Sequence, residues 1–353
     1  MPTKNKPTSS KIIVLLGPTA SGKSSAAILL AKKFNGEILS ADSRQIYRGM
    51  DIGTGKVEKD SNSLSPVLRG DVPMYSSGQR GGFFISEGIP HYAIDIVSPK
   101  TDYSVAKFKK YADKVIADIF SRGKVPIIAG GTGFWIKAIV DDITYPEVAP
   151  DPVLRSMLRN KTTEELFAQL EKLDPERAKN IDAKNPVRLI RAIEICKAIG
   201  KVPKPMRNYE TTANLRTKQS FVEFVDSHPK FVDSNRAYDF LQIGILREKE
   251  ELHERIRLNV KKRFAAGMIE EVSKLHAAGL SWKKMESFGL SYKLIPQFLR
   301  GEIGSEEDLL EKIYLAEKDY AKRQMTWFKK DARIVWLEKY PEIEKEVKLF
   351  LEK

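Results

Sequence analysis

Residues 12–24 read IIVLLGPTASGKS, and this stretch decides the fold. The five apolar residues 12–16 are typical of a short buried strand in a parallel sheet. The loop after them is Gly17-Pro18-Thr19-Ala20-Ser21-Gly22-Lys23-Ser24. It matches the phosphate-loop pattern G-x-x-x-x-G-K-[ST] at every fixed position. Helical periodicity over residues 24–34 ends at Asn35-Gly36, a C-cap signal, so strand, loop and helix follow in the order that a phosphate-binding loop requires.

The chemistry of this loop suits a diphosphate or a triphosphate. Its glycines let the backbone wrap closely around an anion, so that successive N–H groups point at phosphate oxygens. The following helix adds the positive end of its dipole. Lys23 supplies a point charge for the terminal phosphate, and the Ser24 hydroxyl can ligate Mg²⁺. The loop predicts a phosphorylated ligand without identifying it as ATP.

Further strand and helix patterns predict an α/β fold with a P-loop NTPase-like parallel sheet. Strand candidates cover residues 37–40, 125–129 and 332–337, and helices alternate with them. Residues 57–90 are rich in Gly, Ser and Pro, which indicates a long loop or a small hairpin. Residues 144–208 show helical patterns only, at 152–160, 163–173, 175–180 and 186–199, and a second helical block covers residues 249–330.

These patterns predict a domain organisation. Residues 1–10 form a flexible tail, and residues 11–143 and 209–340 form the α/β core with its C-terminal helices. Residues 144–208 form an inserted, all-helical domain. Residues 341–353 form a C-terminal helix or tail.

Composition limits the class of protein. A hydrophobic fraction of 42% supports a sizeable core, which excludes a mainly disordered or collagen-like chain. A net charge of +13 favours an acidic partner, such as a phosphorylated ligand, a nucleic acid or a membrane surface. The single cysteine, Cys196, excludes a disulfide within the chain and is predicted to be a small core residue. No run of about 18 apolar residues occurs, so we expect a cytoplasmic monomer that works without a membrane.

Two polar residues follow predicted strands and are candidates for catalysis. Asp42 comes directly after the second strand, and the carboxyl ends of strands line the ligand crevice of an open α/β sheet. A carboxylate there can hold Mg²⁺ or act as a general base, although Asp42 equally fits the N-cap of a following helix. Thr132 lies in the turn 130–133 after the third strand, where it can bond the acid or a substrate.

Seven segments, in order along the chain, carry a resemblance to a known family. They are residues 17–24, 42–47 with 49–54, 91 with 94–96, 103–108, 130–133, 185–194 and 322–328. On these segments the chain resembles the tRNA dimethylallyltransferases, also called isopentenyl-tRNA transferases, over roughly residues 11–338. The phosphate loop alone is common to many nucleotide-binding enzymes, whereas its combination with the segments at 42–47 and 322–328 is specific.

The resemblance implies a transfer reaction and its site. The family moves a dimethylallyl group from dimethylallyl diphosphate to the exocyclic amine of the adenosine 3′ of the anticodon in tRNA, and releases diphosphate. The phosphate loop would then hold the donor's diphosphate together with Mg²⁺. Asp42 takes the role of the family's general base, and Thr132 matches the threonine near it. A hydroxylated analogue of the donor remains an alternative.

The resemblance also implies contacts with the anticodon stem-loop of tRNA. They are assigned to Asp42, Ser43, Arg44, Gln45, Arg188, Arg191, Tyr292, Lys293, Lys322, Arg323, Gln324 and Trp327. Arg188 and Arg191 are three residues apart near the start of a predicted helix, where positive charge opposes the helix dipole. A contact with phosphate explains that placement better than stability does. On the predicted helix over 322–330, basic, amide and aromatic groups mix in a way that suits a splayed single-stranded loop.

Three positions depart from the family pattern. Asn259 stands where the family commonly has an arginine that meets the donor's diphosphate. Arg255 and Arg263 lie one helical turn on either side of it, so we expect one of them to reach the diphosphate instead. Val187 replaces a glutamine before the first arginine of its helix, and Ser291 replaces a glycine before Tyr292.

Three other functions remain as alternatives at this point. The first is prenylation of a free adenine nucleotide, as in cytokinin synthesis. The second is a P-loop kinase for a small molecule, which predicts turnover of ATP. The third is an RNA-binding protein without catalysis. The predicted helical insertion, the basic excess and the segment 323–327 favour a tRNA substrate over free nucleotide.

Overall fold

The computed structural model describes residues 10–60, 84–146, 148–203 and 238–353. The chain divides into two compact units, one formed by Met1–Val140 with Ala213–Lys353 and the other by Asp141–Thr212. The predicted tail and most of the segment 57–90 lie outside the described residues.

The larger unit is built on a seven-stranded sheet. Its strands are β1 (Ser10–Leu16), β2 (Gly36–Ser40), β3 (Phe84–Ser86), β4 (Ile89–Tyr92), β5 (Val125–Gly130), β6 (Tyr238–Ile245) and β7 (Val335–Leu337). They lie in the order β3-β4-β2-β5-β1-β6-β7. β3 pairs antiparallel with β4, and every other neighbouring pair is parallel. The predicted α/β fold with a parallel sheet is confirmed.

Thirteen helices occur within the described residues. In chain order they are α1 (Lys23–Lys33), α2 (Val105–Ser121), α3 (Gly133–Val140), α4 (Pro152–Arg159), α5 (Thr163–Leu173), α6 (Pro175–Ala178), α7 (Pro186–Ile199), α8 (Lys249–Ala265), α9 (Met268–Ala277), α10 (Trp282–Glu286), α11 (Ser291–Leu299), α12 (Glu306–Phe328) and α13 (Tyr340–Glu352). None of them, in the part of the chain that is described, is long and apolar enough to cross a membrane.

β1 lies in the centre of the sheet, between β5 and β6. Successive side chains of a strand point to opposite faces, and here both faces are covered. Ile12, Val14 and Leu16 belong to a core cluster with residues of α2, α3, α8 and α12, whereas Ile13 and Leu15 pack with residues of α1 and α13. All five side chains are buried. This explains why the strand reads as a continuous apolar run without alternation.

The sheet contains three strands, β3, β4 and β6, that are not among the strand candidates of the sequence. β6 lies beside β1, with Ile13 opposite Leu241. β4 lies beside β2 and forms a hairpin with β3 at the end of the segment predicted as a loop or small hairpin. The β7 prediction, 332–337, starts three residues early.

The smaller unit consists of α4 to α7 around an apolar core of its own. The core contains Leu158, Leu166, Leu170, Leu189 and the buried Cys196. Asp151, Thr162, Asp174 and Asn185 each cap the helix that follows them, through a side-chain oxygen that accepts a backbone N–H. These caps are the helix-start signals that the sequence displayed.

A buried carboxylate organises this smaller unit. Glu194 accepts hydrogen bonds from the Asp151 N–H at 2.7 Å, from the Arg155 Nε at 2.9 Å and from Arg191. Burial alone would raise the pKa of Glu194, but these bonds lower it to about 2. The carboxylate therefore joins α7 to the start of α4 and stays ionised at neutral pH.

Candidate active site

The phosphate loop lies between β1 and α1, at the carboxyl end of the central strand. Gly22, the residue before α1, has φ of 93°, in the region that favours glycine. Ala20 also has a positive φ, 62°, which a side chain makes costly, so this part of the loop is strained. The Ser21 hydroxyl is buried and has no hydrogen-bond partner within the described residues. An unsatisfied polar atom and a strained backbone together indicate a loop shaped for a ligand.

Lys23 folds back over this loop. Its Nζ donates to the carbonyl of Pro18 at 3.0 Å. Burial lowers its pKa to about 8, and the nearby negative charge of Asp42 partly opposes that shift. The Lys23 ammonium is therefore held at the loop, close to the carboxylate of Asp42, which we predicted from the sequence to be catalytic.

A small cleft beside the loop brings polar groups from three strands together. Among its lining residues are Lys23, Ser24, Ser40, Asp42 and His91. They follow or belong to β1, β2 and β4, whose parallel arrangement places like ends at one edge of the sheet. His91 is buried, and burial lowers its pKa below the usual value. The structure therefore places Asp42 and Ser24 in one cleft.

Asp42 begins a turn and does not cap a helix. Its Oδ1 accepts the backbone N–H of Arg44 at 2.9 Å, and residues 43–46 form a turn. Thr132 bonds the residue beside the acid: its Oγ1 accepts the Ser43 N–H at 3.1 Å. The backbone N–H of Thr132 also donates to Ala41 at 3.2 Å. Thr132 thus fixes the backbone on both sides of Asp42.

The neighbours of Asp42 are tied to other elements. Gln45 accepts a hydrogen bond from Ser40 at 3.1 Å and donates to Gly55 at 3.4 Å. Arg44 donates from Nε to the carbonyl of Phe288 at 2.8 Å. Its guanidinium lies 5.0 Å from the centre of the Tyr320 ring, and that of Arg323 lies 5.8 Å from the same ring. Tyr320 therefore sits between two cations close to the candidate base.

α12 presents three of its four predicted tRNA contacts to solvent. Lys322 and Arg323 are exposed, and Trp327 is 42% exposed. Gln324 differs, because it is buried and both ends of its amide are occupied by backbone groups. Its Oε1 accepts the Thr19 N–H at 2.8 Å and its Nε2 donates to the carbonyl of Gly131 at 2.8 Å. In the structure Gln324 joins two loops and is shielded from solvent, and its contact with tRNA stays a prediction.

Tyr292 and Lys293 differ in their surroundings. Tyr292 is only 1% exposed, whereas Lys293 is exposed, and the contact of each with tRNA stays a prediction. The Tyr292 hydroxyl donates to the Glu271 carboxylate at 2.6 Å. That carboxylate also accepts three consecutive backbone N–H groups, of residues 51–53, at 2.7 to 3.0 Å. A Cβ at Gly53 would lie 2.7 Å from the Tyr292 ring, which explains why glycine occupies that position.

The two predicted contacts on α7 have different surroundings. Arg188 is exposed. Arg191 bonds Glu194 and donates to the carbonyl of Val148 at 2.9 Å. Its placement near the helix start therefore has a structural explanation, since the pair lies three residues apart on one helix face. The spacing of three residues between Arg191 and Glu194 is visible in the sequence, but we did not use it to predict this ion pair.

Only one of the two arginines expected to replace the missing charge at Asn259 lies at the phosphate loop. Arg255 donates from Nε to the carbonyl of Ala20 at 2.8 Å. Arg263 donates instead to the carbonyl of Gly53 at 3.0 Å and to the carboxylate of Glu317 at 2.6 Å. The Arg263 guanidinium is therefore occupied by those groups in the structure, and its contact with the diphosphate stays a prediction.

A further arginine, which the sequence analysis did not predict, also reaches the phosphate loop. Arg247 donates from Nε to the carbonyl of Ser21 at 3.1 Å. It stands two residues after the end of β6, at the same sheet edge as the loop. Arg247 was overlooked because β6 was not predicted. An arginine that follows a parallel strand is a candidate site residue only once that strand has been recognised.

Comparison with known proteins places these features in a family. The sequence profile described as IPP transferase matches residues 84–331, and the one described as isopentenyl transferase matches residues 10–65. The chain is 34% identical over 351 residues to the tRNA dimethylallyltransferase of a Thermoanaerobacter species, covering 97% of each chain. It is 37% identical over 337 residues to that of Carboxydothermus hydrogenoformans, covering 94% of this chain and 92% of the relative.

Solved structures agree with this. The tRNA isopentenylpyrophosphate transferase of Bacillus halodurans is 28% identical with a TM-score of 0.62, covering 98% of this chain and 97% of that one. The corresponding enzyme of Staphylococcus epidermidis is 33% identical with a TM-score of 0.60, covering 97% and 99%. A eukaryotic dimethylallyltransferase acting on tRNA, at 24% identity and a TM-score of 0.66, shares the fold. By its sequence over nearly its whole length and by its fold, the chain belongs to the IPP transferase family.

Proposed function

We propose that this protein transfers a dimethylallyl group from dimethylallyl diphosphate to the exocyclic amine of the adenosine 3′ of the anticodon in tRNA, and releases diphosphate. One observation carries the proposal. The cleft that begins at the phosphate loop residues Lys23 and Ser24 also contains the carboxylate of Asp42. An anion-binding loop for a leaving group and a base for the nucleophile are thus adjacent. Relatives named tRNA dimethylallyltransferase support the choice of substrates.

The loop acts on the leaving group. As the bond between the donor's C1 and the diphosphate oxygen breaks, negative charge grows on the diphosphate. The N-terminus of α1, whose first backbone N–H groups have no partner within the helix, and the Lys23 ammonium stand at the loop where that charge develops, and preorganised donors of this kind lower the barrier. The Thr19 N–H is not one of these donors, because it already donates to Oε1 of Gln324.

The oxygen groups beside the loop fit Mg²⁺. This cation prefers hard oxygen ligands and is commonly held by one or two carboxylates, substrate phosphates and water. The cleft offers the Ser24 hydroxyl and the Asp42 carboxylate. Within the described ranges, no group of three or more His, Cys, Asp or Glu side chains is placed to form a metal cage of its own. The Ser24 hydroxyl would hold the ion together with the diphosphate and water, which leaves the Asp42 carboxylate for the acceptor, and the ion would neutralise part of the leaving group's charge.

Asp42 acts on the nucleophile. The adenine amine nitrogen forms a bond to C1 of the dimethylallyl group while the C1–oxygen bond breaks, and the nitrogen then carries a proton that must leave. The Asp42 carboxylate accepts it, a role worth about 10²–10⁴-fold in rate. The turn after Asp42 and the bonds of Thr132 keep this carboxylate in place.

The acceptor is an RNA loop. Exposed Lys322, Arg323 and Lys293 supply charge for phosphates, and the half-exposed Trp327 supplies a ring face for a base. The target adenosine must leave the stack of the anticodon loop to reach Asp42, as in base flipping. We include the helical unit, with its exposed Arg188, among the tRNA-binding regions.

The test is a labelled-donor assay. Labelled dimethylallyl diphosphate and Mg²⁺ are mixed with the protein and unmodified tRNA, or with AMP, ADP or ATP, and Asp42→Asn is run in parallel. Label on tRNA that the variant loses supports the proposal. Label on free nucleotide replaces it with a cytokinin-type reaction, and hydrolysis of ATP without transfer of label replaces it with a kinase.

A further inference from the structure

Arg247 and Arg255 approach the phosphate loop from one side. β6 runs parallel to β1, with Gly244 opposite Leu16. The residues after β6 therefore lie at the carboxyl ends of the strands, where the phosphate loop also begins. Arg247 follows at this edge and donates from Nε to the carbonyl of Ser21 at 3.1 Å. Arg255, two turns into α8, donates from Nε to the neighbouring carbonyl of Ala20 at 2.8 Å. The two guanidinium groups therefore hold successive carbonyls of the same loop.

Both guanidinium groups also lie close to Gly22, the residue before α1. A Cβ on Gly22 would lie 3.4 Å from Nη2 of Arg255 and 3.7 Å from Nη2 of Arg247. Gly22 precedes the N-terminus of α1, where helix N–H groups attract anions. In both arginines, the Nε atom therefore donates to the loop backbone, whereas the Nη2 atom lies beside the N-terminus of α1, where an anion would bind. The buried, unpartnered Ser21 hydroxyl belongs to the same loop.

One carboxylate is shared by the two arginines and is weakly held. Glu251 Oε1 lies 3.5 Å from Nη1 of Arg247 and 3.7 Å from Nη1 of Arg255. A charge-assisted hydrogen bond is about 2.7–2.9 Å long, so neither contact is a close one. The Glu251 side chain is 46% exposed, which lets it swing into solvent. Two positive charges facing one loosely bound carboxylate can exchange it for a more highly charged anion.

We propose that Arg247 is a donor-binding residue of this enzyme, and that Arg247 and Arg255 together clamp the diphosphate while Glu251 is displaced. Arginine suits this role because its planar fork bonds two phosphate oxygens at once. Asn259 has no charge, and Arg263 is committed to Glu317, so neither supplies this clamp. The clamp rests on the proposed function for the identity of the donor, whereas its affinity for diphosphate can be measured separately.

The test measures binding of inorganic diphosphate to the full-length protein by calorimetry. We expect Arg247→Gln to raise the Kd at least about 10-fold, as loss of a charge-assisted contact does. Arg247→Lys should recover part of the affinity, and Glu251→Gln should tighten binding because it removes the competing carboxylate. Arg257→Ala is the control, since this arginine lies on α8 with Glu251 and Arg255 but pairs with Glu311. Its Kd should equal that of the wild type.

Steady-state kinetics separates the clamp from the proposed function. The Arg247→Gln variant should raise the KM for the donor and leave the KM for tRNA unchanged. An unchanged Kd for diphosphate in this variant, or weaker binding in Glu251→Gln, overturns the clamp even if tRNA is prenylated. Conversely, diphosphate binding that depends on Arg247 in a protein that prenylates no tRNA supports the clamp and removes the proposed function.

Discussion

The Oε1 atom of Gln324 accepts a hydrogen bond from the backbone N–H of Thr19 at 2.8 Å, although 305 positions separate the two residues in the chain. Through its Nε2, the same side chain holds the carbonyl of Gly131, next to Thr132. A single amide on α12 thus connects the loop for the donor with the turn that supports the candidate base. Exposed basic residues for the acceptor stand beside it on the same helix.

We expect Gln324→Met to impair use of the donor more than binding of tRNA. Methionine keeps the volume but leaves the Thr19 N–H and the Gly131 carbonyl without partners, at a cost of about 1–3 kcal/mol for each buried group. The KM for dimethylallyl diphosphate should rise about 10-fold, whereas the Kd for tRNA should change less than about 2-fold. Gln297→Met on α11 is the matched control. A rise in the Kd for tRNA with an unchanged donor KM would show that Gln324 acts in tRNA recognition instead.

Asp42→Asn should remove the base and retain substrate binding. The rate of single-turnover transfer should fall about 10²–10⁴-fold, because the amide cannot accept the proton. Thr132→Val should have a smaller effect, since it removes the bonds to the Ser43 N–H and the Ser43 hydroxyl but leaves the carboxylate. Rapid-quench measurement with labelled donor compares the two variants. Equal rates for Asp42→Asn and the wild type would exclude Asp42 as the base.

Donor binding should weaken as pH rises above about 8, the pKa to which burial lowers Lys23. The lysine loses its charge there, whereas the terminal phosphate of the donor is already ionised because such groups titrate at about pH 6. Lys23→Met should bind more weakly and with no dependence on pH in this range. The Kd of the donor, measured by calorimetry between about pH 7 and 9, tests this. A flat profile in the wild type contradicts it.

Lys23 should also make the free energy of unfolding depend on pH. Between the folded pKa of about 8 and the ordinary value of 10.5, the unfolded chain binds more protons at Lys23 than the folded one. The contribution of Lys23 to the free energy of unfolding therefore rises with pH across that window and is constant below it. Urea unfolding of Lys23→Met should lack this component.

Binding of tRNA should depend on salt through α12. The double variant Lys322→Ala with Arg323→Ala removes two exposed cations, and for each phosphate that is no longer neutralised the slope of log K against log salt should decrease by about 0.7–0.9. Filter binding at several salt concentrations measures it. Lys345→Ala with Lys348→Ala on α13 carries the same change in charge and should keep the wild-type slope. Equal slopes for both double variants would remove the role of α12.

Glu194→Gln should destabilise the helical unit specifically. The amide cannot bond Arg155, Arg191 and the Asp151 N–H together, and removing a hydrogen bond to a charged group costs about 1.5–3 kcal/mol. Since the folded pKa of about 2 is below the ordinary 4.5, this stabilisation is present above pH 4.5 and is lost as pH falls through about 2. Hydrogen exchange of α7 should accelerate in the full-length variant, while exchange of β1 stays unchanged.

Local patterns were sufficient for the phosphate loop and most helices. The five apolar residues before Gly17 and the caps at Thr162 and Asn185 are signals contained within a few residues. β6 escaped prediction because Gln242 and Gly244 interrupt its apolar run, although both lie inside the sheet. Gly244 is required there by the ring of Trp336, which a Cβ would approach to 2.5 Å.

The remaining site residues depend on contacts between distant parts of the chain. Nothing near Tyr292 in sequence indicates that Glu271 will bury its hydroxyl, and nothing near Arg247 indicates the loop carbonyl 226 positions away. The sequence marks Gln324 as a site candidate, but its role depends on which loops α12 meets in the fold. Spacing along a helix identifies faces, whereas the partner of each face is set by the topology of the sheet.

The position of β1 between β5 and β6 also has a consequence for biosynthesis. The phosphate loop is synthesised before Arg247 and Gln324, which follow 226 and 305 residues after their loop partners. At about 5–20 residues per second, the loop waits about 10–60 s for them. Until β6 emerges, one edge of the apolar strand β1 stays open, and such an edge is a template for aggregation. The donor site of this enzyme therefore cannot be complete until the segment that carries Gln324 has been synthesised.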